Sequence, residues 1–476
     1  MELPRTRGAA GDGRYVERLA SFAARCRDDG VPDDIRTSVR QRVVDILGIC
    51  VAAQELETSG AAVDHALDSA GVEQSHVIGR GRRVPAAPAA FANGVLAHSL
   101  DYDDTHLPSV LHPSASVVPA GLAVAEMQGA DGRDVVAAIA AGLEICVRLG
   151  MAGYDEEAGN SLFFEHGQHA TSICGVVGSA ATAALLMGLD AERVAHAMAI
   201  SASFASGIIE GNRMGGTVKR THCGWAAQGG VQAAQLAKRG FTGPPTVLEG
   251  RFGFYRAFLG GRFDADQLDE GLGTRWEIHR IFLKPYPANH FTHAGIDAAI
   301  SLREQGVRPE DVESATLGIA APTMPTIGDP IEVKRTPETG YQAQFSGPYT
   351  VAAAFFGGDG LGLGLGDFSE RLVRDPARRE LMARIDVVVD PRCDEIFPRQ
   401  LPAVLRVRTR DGRDLEAAVF TSRGGPDRPL TEDEIRQKLR DNVRGWIGEG
   451  AVERIAAIVE SDEALDDVGA VLRATS

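Results

Sequence analysis

Ala86-Ala87-Pro88-Ala89-Ala90-Phe91-Ala92-Asn93-Gly94-Val95-Leu96-Ala97-His98-Ser99-Leu100-Asp101-Tyr102-Asp103-Asp104-Thr105-His106 begins as an Ala-rich apolar helix and ends in carboxylates and imidazoles. The run closes with Leu111-His112-Pro113-Ser114. Three acids in four positions and three histidines in fifteen repel one another and gain nothing in a core. The segment is framed by two apolar helical stretches, Ala86 to Leu100 and Ser116 to Met127. Polar groups delivered to the end of a buried helix imply a pocket.

Outward from that stretch, helix follows helix from Tyr15 to about Leu259. Pro32-Asp33-Asp34 opens a segment with Ile35, Val39, Val43, Ile46 and Leu47 at helical spacing, its acids matched to the helix dipole. Further helices are predicted at Ser116–Gln128, Arg133–Leu149, Thr171–Met187, Ala191–Ala205 and Gly224–Arg239. Their inner positions are largely Ala, Gly or Ser, which lets helices approach closely. After Trp276 the texture changes. Strands are predicted at Ala315–Ile319, Asp386–Val389, Ala403–Arg410 and Arg413–Phe420, the last two joined by a two-residue Asp411-Gly412 turn. Helices at His290–Gln305, Tyr349–Phe356 and Ser369–Arg384 interleave, and Gly357 to Gly366 reads as a flexible connection. A capping box at Thr431–Glu434 restarts helix. The expected fold is mainly α. A large discontinuous helical-bundle domain (1–279, with 426–476 returning to it) carries an inserted, smaller α+β lid domain (280–425), and a cleft between domains suits a small-molecule site.

The chain has 476 residues, a net charge of −16, and basic residues scattered without an aromatic-interleaved stripe, so nucleic acid is not an expected partner. The six cysteines form no C-x-x-C pair, which fits a reduced compartment. Met1 to Gly13 has no hydrophobic segment of the signal-peptide kind, and Val135 to Leu149 is broken by Glu144 and Arg148. A cytoplasmic protein with no membrane association is expected.

Three later clusters share the character of the first: His166–Ser172, Lys219–Gly224 and Lys284–His293. Eight of the twelve histidines fall in these four stretches, more clustering than independent core histidines would give. Lys219 and His222, like His290 and His293, are spaced to share a helix face. Lysines and imidazoles converging from several elements favour a multiply charged anion. A neighbouring ammonium stabilises the enediolate-like intermediate that follows loss of a proton next to a carboxylate. Singly, each residue has a plainer reading: His169 as a helix-start residue, Lys219 and Lys284 as solvated cations, Asp103 or Asp104 as a cap, Tyr349 as a core aromatic. His65, His76, His196 and His279 read as structural or surface residues. Asp101-x-Asp103-Asp104 and His166-x-x-His169 could ligate a metal, but too few acids lie nearby, and no metal is expected.

At these clusters the chain resembles the MmgE/PrpD family of dehydratases, decarboxylases and epimerases of small carboxylic acids. The resemblance runs nearly end to end, strongest in Asn93–Pro113, His169–Gly178, Lys219–Gly224, Gly250–Tyr255 and Lys284–Ala299. It implies a homodimer without cofactor. It places Asp101, His112, Lys219 and Tyr349 in catalysis and Thr105, His169 and Lys284 on the substrate, and His222 and His290, singled out by their spacing, are expected on the substrate as well. His112 would move the proton, Asp101 orient an imidazole, and Tyr349 donate from the lid. One residue more than the decarboxylase pattern separates Thr105 from His112, and Arg220-Thr221 and Ala288-Asn289 also depart from it, so substrate choice is not carried over. The expectation is a cofactor-independent lyase, dehydratase or decarboxylase, acting on a small di- or tricarboxylate. An epimerase using the same site is the alternative. A metal-dependent enzyme or a non-enzymatic helical binding protein stands further off.

Overall fold

Tyr15–Asp29 and Asp33–Ala52 open a helical array. It continues through Glu57–Leu67, Ala86–His98, Ser114–Gln128, Gly132–Met151, Ala170–Leu186, Ala191–Ala202 and Thr221–Lys238. The computed structural model describes residues 14–157, 159–214 and 216–476, with backbone alone for Asn212 and Arg213. The polar segment Met1–Gly13 lies outside the described residues. The chain divides into two compact units: one runs to Ile281 and takes in Asn442–Ser476, and the other is Phe282–Asp441. Among the described residues, no single helix is long and apolar enough to cross a membrane.

In the first unit every residue of Ala170–Leu186 is buried, and its small side chains let neighbouring helices close on it. A Cβ on Gly178 would lie 2.5 Å from the Gly142 carbonyl oxygen on the Gly132–Met151 helix. Ala86–His98 and Thr221–Lys238 meet the same way: a Cβ on Gly94 would lie 2.8 Å from Gly224 Cα. Asp131 and Asp190 start their helices by accepting from Asp134 N and Arg193 N. Glu144 and Arg148, which interrupt the most apolar window, form a buried ion pair at 2.7 Å. Arg148 also donates to the carbonyls of Gln267, Glu270 and Arg275. The C-terminal residues join this unit through Asp462, which binds both Arg36 and Arg40 at 2.8 Å.

The second unit is built on a four-stranded sheet. Val312–Ile319 pairs antiparallel with Ala403–Thr409 and parallel with Ile385–Val389, and Asp414–Val419 forms the other edge. His293–Glu304 and Gly347–Phe356 contribute to its core, where Tyr286, Ile296, Leu317, Tyr349, Phe355 and Leu405 are buried. The hairpin departs from the expected two-residue turn. Thr409 N donates to the Arg413 carbonyl and Gly412 N to the Thr409 carbonyl, both at 2.9 Å, so three residues form the loop. Gly412, at φ 92°, takes the left-handed position that such a loop needs. The single helix expected over Ser369–Arg384 is two, Glu370–Val373 and Pro376–Met382, because Pro376 holds Asp375 extended and starts a new helix. The expected His290 helix begins as a 3₁₀ turn, His290–Thr292. The Gly357–Gly366 tract is not featureless either: a 3₁₀ turn starts at Leu365, and Asp367 accepts from Gly364 N at 3.0 Å. The Thr431–Glu434 capping box forms, with Glu434 N on Thr431 Oγ1 and Thr431 N on Glu434 Oε2.

Candidate active site

The Ala86–His98 helix ends on His98, and the following loop turns back by placing Asp101 in the left-handed region at φ 52°. Asp103 is fully buried, with Oδ2 2.7 Å from His98 Nδ1 and 3.7 Å from His112 Nδ1. His112 Nδ1 is also 2.8 Å from the Asp104 carbonyl and 3.4 Å from Thr105 Oγ1. A ring nitrogen against a carbonyl carries the proton, so the Nε2 edge of His112 is the one able to accept another.

Asp104 has a different task. Its carboxylate accepts from Ser114 N and Ser114 Oγ and lies 3.3 Å from the buried Arg42, which starts the Ser114–Gln128 helix from inside the protein. Burial pushes its carboxyl up to about 6, against the opposing pull of Arg42 and Ser114. Asp104 thus binds a backbone N–H, as a capping acid would.

His169 precedes the Ala170–Leu186 helix but does not cap it with its side chain. Its ring instead meets His222, Nδ1 to Nδ1, at 2.9 Å, and its own N–H donates to the Gly207 carbonyl. Two nitrogens at that distance share one proton, so one ring is donor and the other acceptor. His98 lies beside both groups, with ring centroids 5.1 Å from His112 and 5.7 Å from His169. Among the described residues, four imidazoles thus form a continuous row: His112, His98, His169 and His222. Lys219, on the 3₁₀ turn Val218–Arg220 ahead of the His222 helix, reaches Asp101 Oδ1 at 3.5 Å. Burial, then the charges of His98, Lys219, His222 and His112, hold His169 well below the ordinary imidazole range. Burial, His98 and Lys219 hold His222 down to about 4. Cationic and cation-forming groups packed this closely favour an anion.

The first unit therefore brings together Asp101, Thr105, His112, His169, Lys219 and His222. His166 and His106 do not join them. His166 is exposed beside the Phe258 carbonyl and Arg262, and His106 bonds Ser109. Asp103 and Asp104, read as a cap or part of a metal motif, and His98, counted with the clustered histidines, also enter the site or its support, as does Arg42, which was not singled out. Arg42 had a readable signal, a cation on the same helix face as Val39 and Ile46. A pocket of about 520 Å³, lined by His65, Phe91, Gly207, Ile208, His222 and Trp225, opens beside the row.

Lys284, His290 and Tyr349 belong to the second unit. Lys284 is buried, and its carbonyl accepts from Lys438 Nζ at 2.8 Å. The His290 and His293 rings are 4.7 Å apart, and His293 Nε2 is 3.0 Å from the Ala288 carbonyl. Tyr349 is fully buried. Its hydroxyl donates to the Asp367 carbonyl with Arg378 3.4 Å away, and burial raises it to about 12.

His98, Asp103 and His112 bring ligand-type atoms within 4.8 Å of one another, a spacing a metal ion can bridge. The Nδ1 atoms there are already engaged: His98 Nδ1 bonds Asp103, and His112 Nδ1 bonds the Asp104 carbonyl.

A mainly helical chain in which lysine and a row of histidines surround acidic loop residues defines a class of anion-handling enzyme. The chain belongs to the MmgE/PrpD family: residues 17–266 match the family's N-terminal domain and residues 286–464 its C-terminal domain. It is 28% identical to the cis-aconitate decarboxylase of Mus musculus over 96% of this chain and 92% of the relative. It is 30% identical to that of Homo sapiens over 81% and 78%. With that of Aspergillus terreus it shares 23% over 96% and 95%.

Proposed function

We propose that this MmgE/PrpD-type lyase acts on a small polycarboxylate without a cofactor, and that decarboxylation of an unsaturated tricarboxylate such as cis-aconitate is its reaction. The observation that carries the reading is the His169–His222 pair at 2.9 Å with Lys219 acting on both. This group of bases is held neutral by burial and mutual repulsion, and a carboxylate would relieve that repulsion. The relatives' names support the same substrate class.

In such a decarboxylation the bond to the departing carboxylate breaks and carbon dioxide leaves. The electron pair shifts through the double bond, and the far carbon takes a proton. His112 is the proton carrier of this reading, its Nδ1 tied to the Asp104 carbonyl and its Nε2 edge exchanging the proton. Lys219, His169 and His222 hold carboxylates and stabilise the charge that develops, and Thr105 and Asp101 orient His112 and Lys219. Lys284 is assigned to substrate binding, and Tyr349 to proton donation from the second unit as a lid, on the family resemblance, and His290 to substrate binding on its spacing with His293. The same reading takes the protein to be a cytoplasmic homodimer.

Proton NMR in D₂O of EDTA-treated enzyme with cis-aconitate, citrate, 2-methylcitrate and an aminodicarboxylate tests it. Loss of carbon dioxide with deuterium in the product is the expected result for cis-aconitate. Water loss from a citrate would make the enzyme a dehydratase. Deuterium entering recovered substrate without net product would make it an epimerase. Unchanged spectra with every substrate would overturn the polycarboxylate reading.

A further inference from the structure

His98 is the member of the imidazole row that the family resemblance leaves without a role. It is almost wholly buried, and its Nδ1 bonds the equally buried Asp103 carboxylate at 2.7 Å. A structural histidine in a core satisfies both ring nitrogens. His98 satisfies one: Nε2 is buried and finds no hydrogen-bond partner among the described residues. The ring is packed between His112 and His169, so the unsatisfied edge belongs to the row that the substrate reading concerns.

A carboxylate can only accept, so Nδ1 carries a proton, and Nε2 donates as well only when the ring is the imidazolium, with Asp103 as its counter-ion. The groups facing the ring are the Asp103 carboxylate, His112 and His169 as flanking bases, and Lys219 and His222 further along the row. An imidazole with an anion at one nitrogen and an empty edge at the other is suited to a second anion, as a charge-assisted donor.

We propose that His98 is a substrate-contacting residue whose Nε2–H donates to a carboxylate of the bound polycarboxylate, with Asp103 as the counter-ion that holds the ring in place. This rests on the polycarboxylate reading above, and the test separates the two.

The probe is propane-1,2,3-tricarboxylate, which has no double bond and no leaving hydroxyl. Its binding is measured by calorimetry alongside steady-state kinetics with the substrate that NMR identifies. In His98→Asn the amide nitrogen takes the place of Nδ1, keeping the bond to Asp103 while deleting Nε2. His98→Gln places an amide near Nε2 and gives up the Asp103 bond. His98→Asn is expected to melt close to wild type yet bind the probe about tenfold or more weaker, with KM rising at least as much as kcat falls. His98→Gln is expected to recover part of the affinity despite melting lower. Wild-type affinity and KM in His98→Asn would overturn the assignment while leaving the polycarboxylate reading intact. Should His98→Asn fail to fold, His98→Gln is compared with His98→Leu, which has no donor at that position: tighter probe binding in His98→Gln than in His98→Leu supports the contact, and equal affinity in the two overturns it. Absence of probe binding and turnover in the wild type would overturn both.

Discussion

Lys219 Nζ stands 3.5 Å from Asp101 Oδ1, and Asp101 reaches it from a left-handed backbone at φ 52°. Aspartate and asparagine tolerate that conformation, and alanine does so poorly. Asp101→Asn should therefore keep the melting temperature while losing the charge that orients Lys219. Asp101→Ala should lose the same activity and about 1 kcal/mol of stability besides. Lys219→Ala should cut kcat by about 10²–10⁴. Near-wild-type turnover in Lys219→Ala and Asp101→Asn would remove this pair from the mechanism.

The His222 imidazole gives a pH dependence whose sign follows from its surroundings. Its ordinary value is 6.5 and the folded protein lowers it to about 4. Between those values the unfolded chain binds the proton and the folded chain does not. The free protein therefore loses stability as the pH falls from about 6.5 towards about 4. A polycarboxylate favours the protonated ring, so its binding should take up protons and tighten on acidification. Calorimetry near pH 6.5 in two buffers of different ionisation enthalpy reads this directly. Binding without proton uptake would place the anion away from His169 and His222.

Asp104 contributes in the opposite direction. Its carboxyl is raised from 3.8 to about 6, with burial as the leading cause. The folded state then binds the proton more tightly than the unfolded chain, and stability falls as the pH rises from about 4 to about 6. Asp104→Asn should flatten that part of the stability profile in urea titrations. Arg42→Ala, which strands the buried carboxylate, should cost about 3–5 kcal/mol. An unchanged slope in Asp104→Asn would assign it to other groups.

How legible all this was from sequence depends on whether the signal was local. Dense chemistry at Asp101–Thr105, His112, His169, Lys219 and His222 is visible in the chain, because acids and imidazoles between apolar helices have no structural use. His98 was legible as a member of the histidine cluster, but its pairing was not, since it stands at the end of an apolar helix. Only the turn through Asp101 brings Asp103 back onto its ring. Asp104 and Asp103 look equivalent in sequence and are told apart by Ser114, ten positions on. The hairpin was found but its loop miscounted, because Asp-Gly serves two-residue turns and Gly412 here closes a three-residue one. Pro376 marked a helix start that an apolar period alone carried straight through.

A cation bound through Asp103 and the Nδ1 atoms of His98 and His112 would have to displace the 2.7 Å bond between His98 and Asp103 and the 2.8 Å bond of His112 to the Asp104 carbonyl. Both bonds position groups that the proposed reaction uses. EDTA treatment should thus leave turnover unchanged, and added zinc, which favours imidazole ligands, should inhibit. Activity that vanishes with EDTA and returns with a divalent metal would reverse the metal-free reading.

The row of imidazoles depends on how closely two helices cross. Gly94 lies four residues before His98, and Gly224 two residues after His222. A Cβ on Gly94 would meet Gly224 Cα at 2.8 Å, and one on Gly224 would meet the Phe91 carbonyl oxygen at 2.5 Å. Both obstacles are backbone in buried helices, so neither can rotate away as a side chain would. Gly94→Ala and Gly224→Ala should each cost about 1–3 kcal/mol by forcing the helices apart. Because the same separation sets how His98 and His222 stand to His169, activity should fall further than the unfolded fraction explains. Turnover measured well below the melting temperature, with the folded fraction followed by near-UV circular dichroism, distinguishes the two effects. Full activity per folded molecule in both variants would mean that the crossing supports the fold alone and that the loops adjust the imidazoles independently of it.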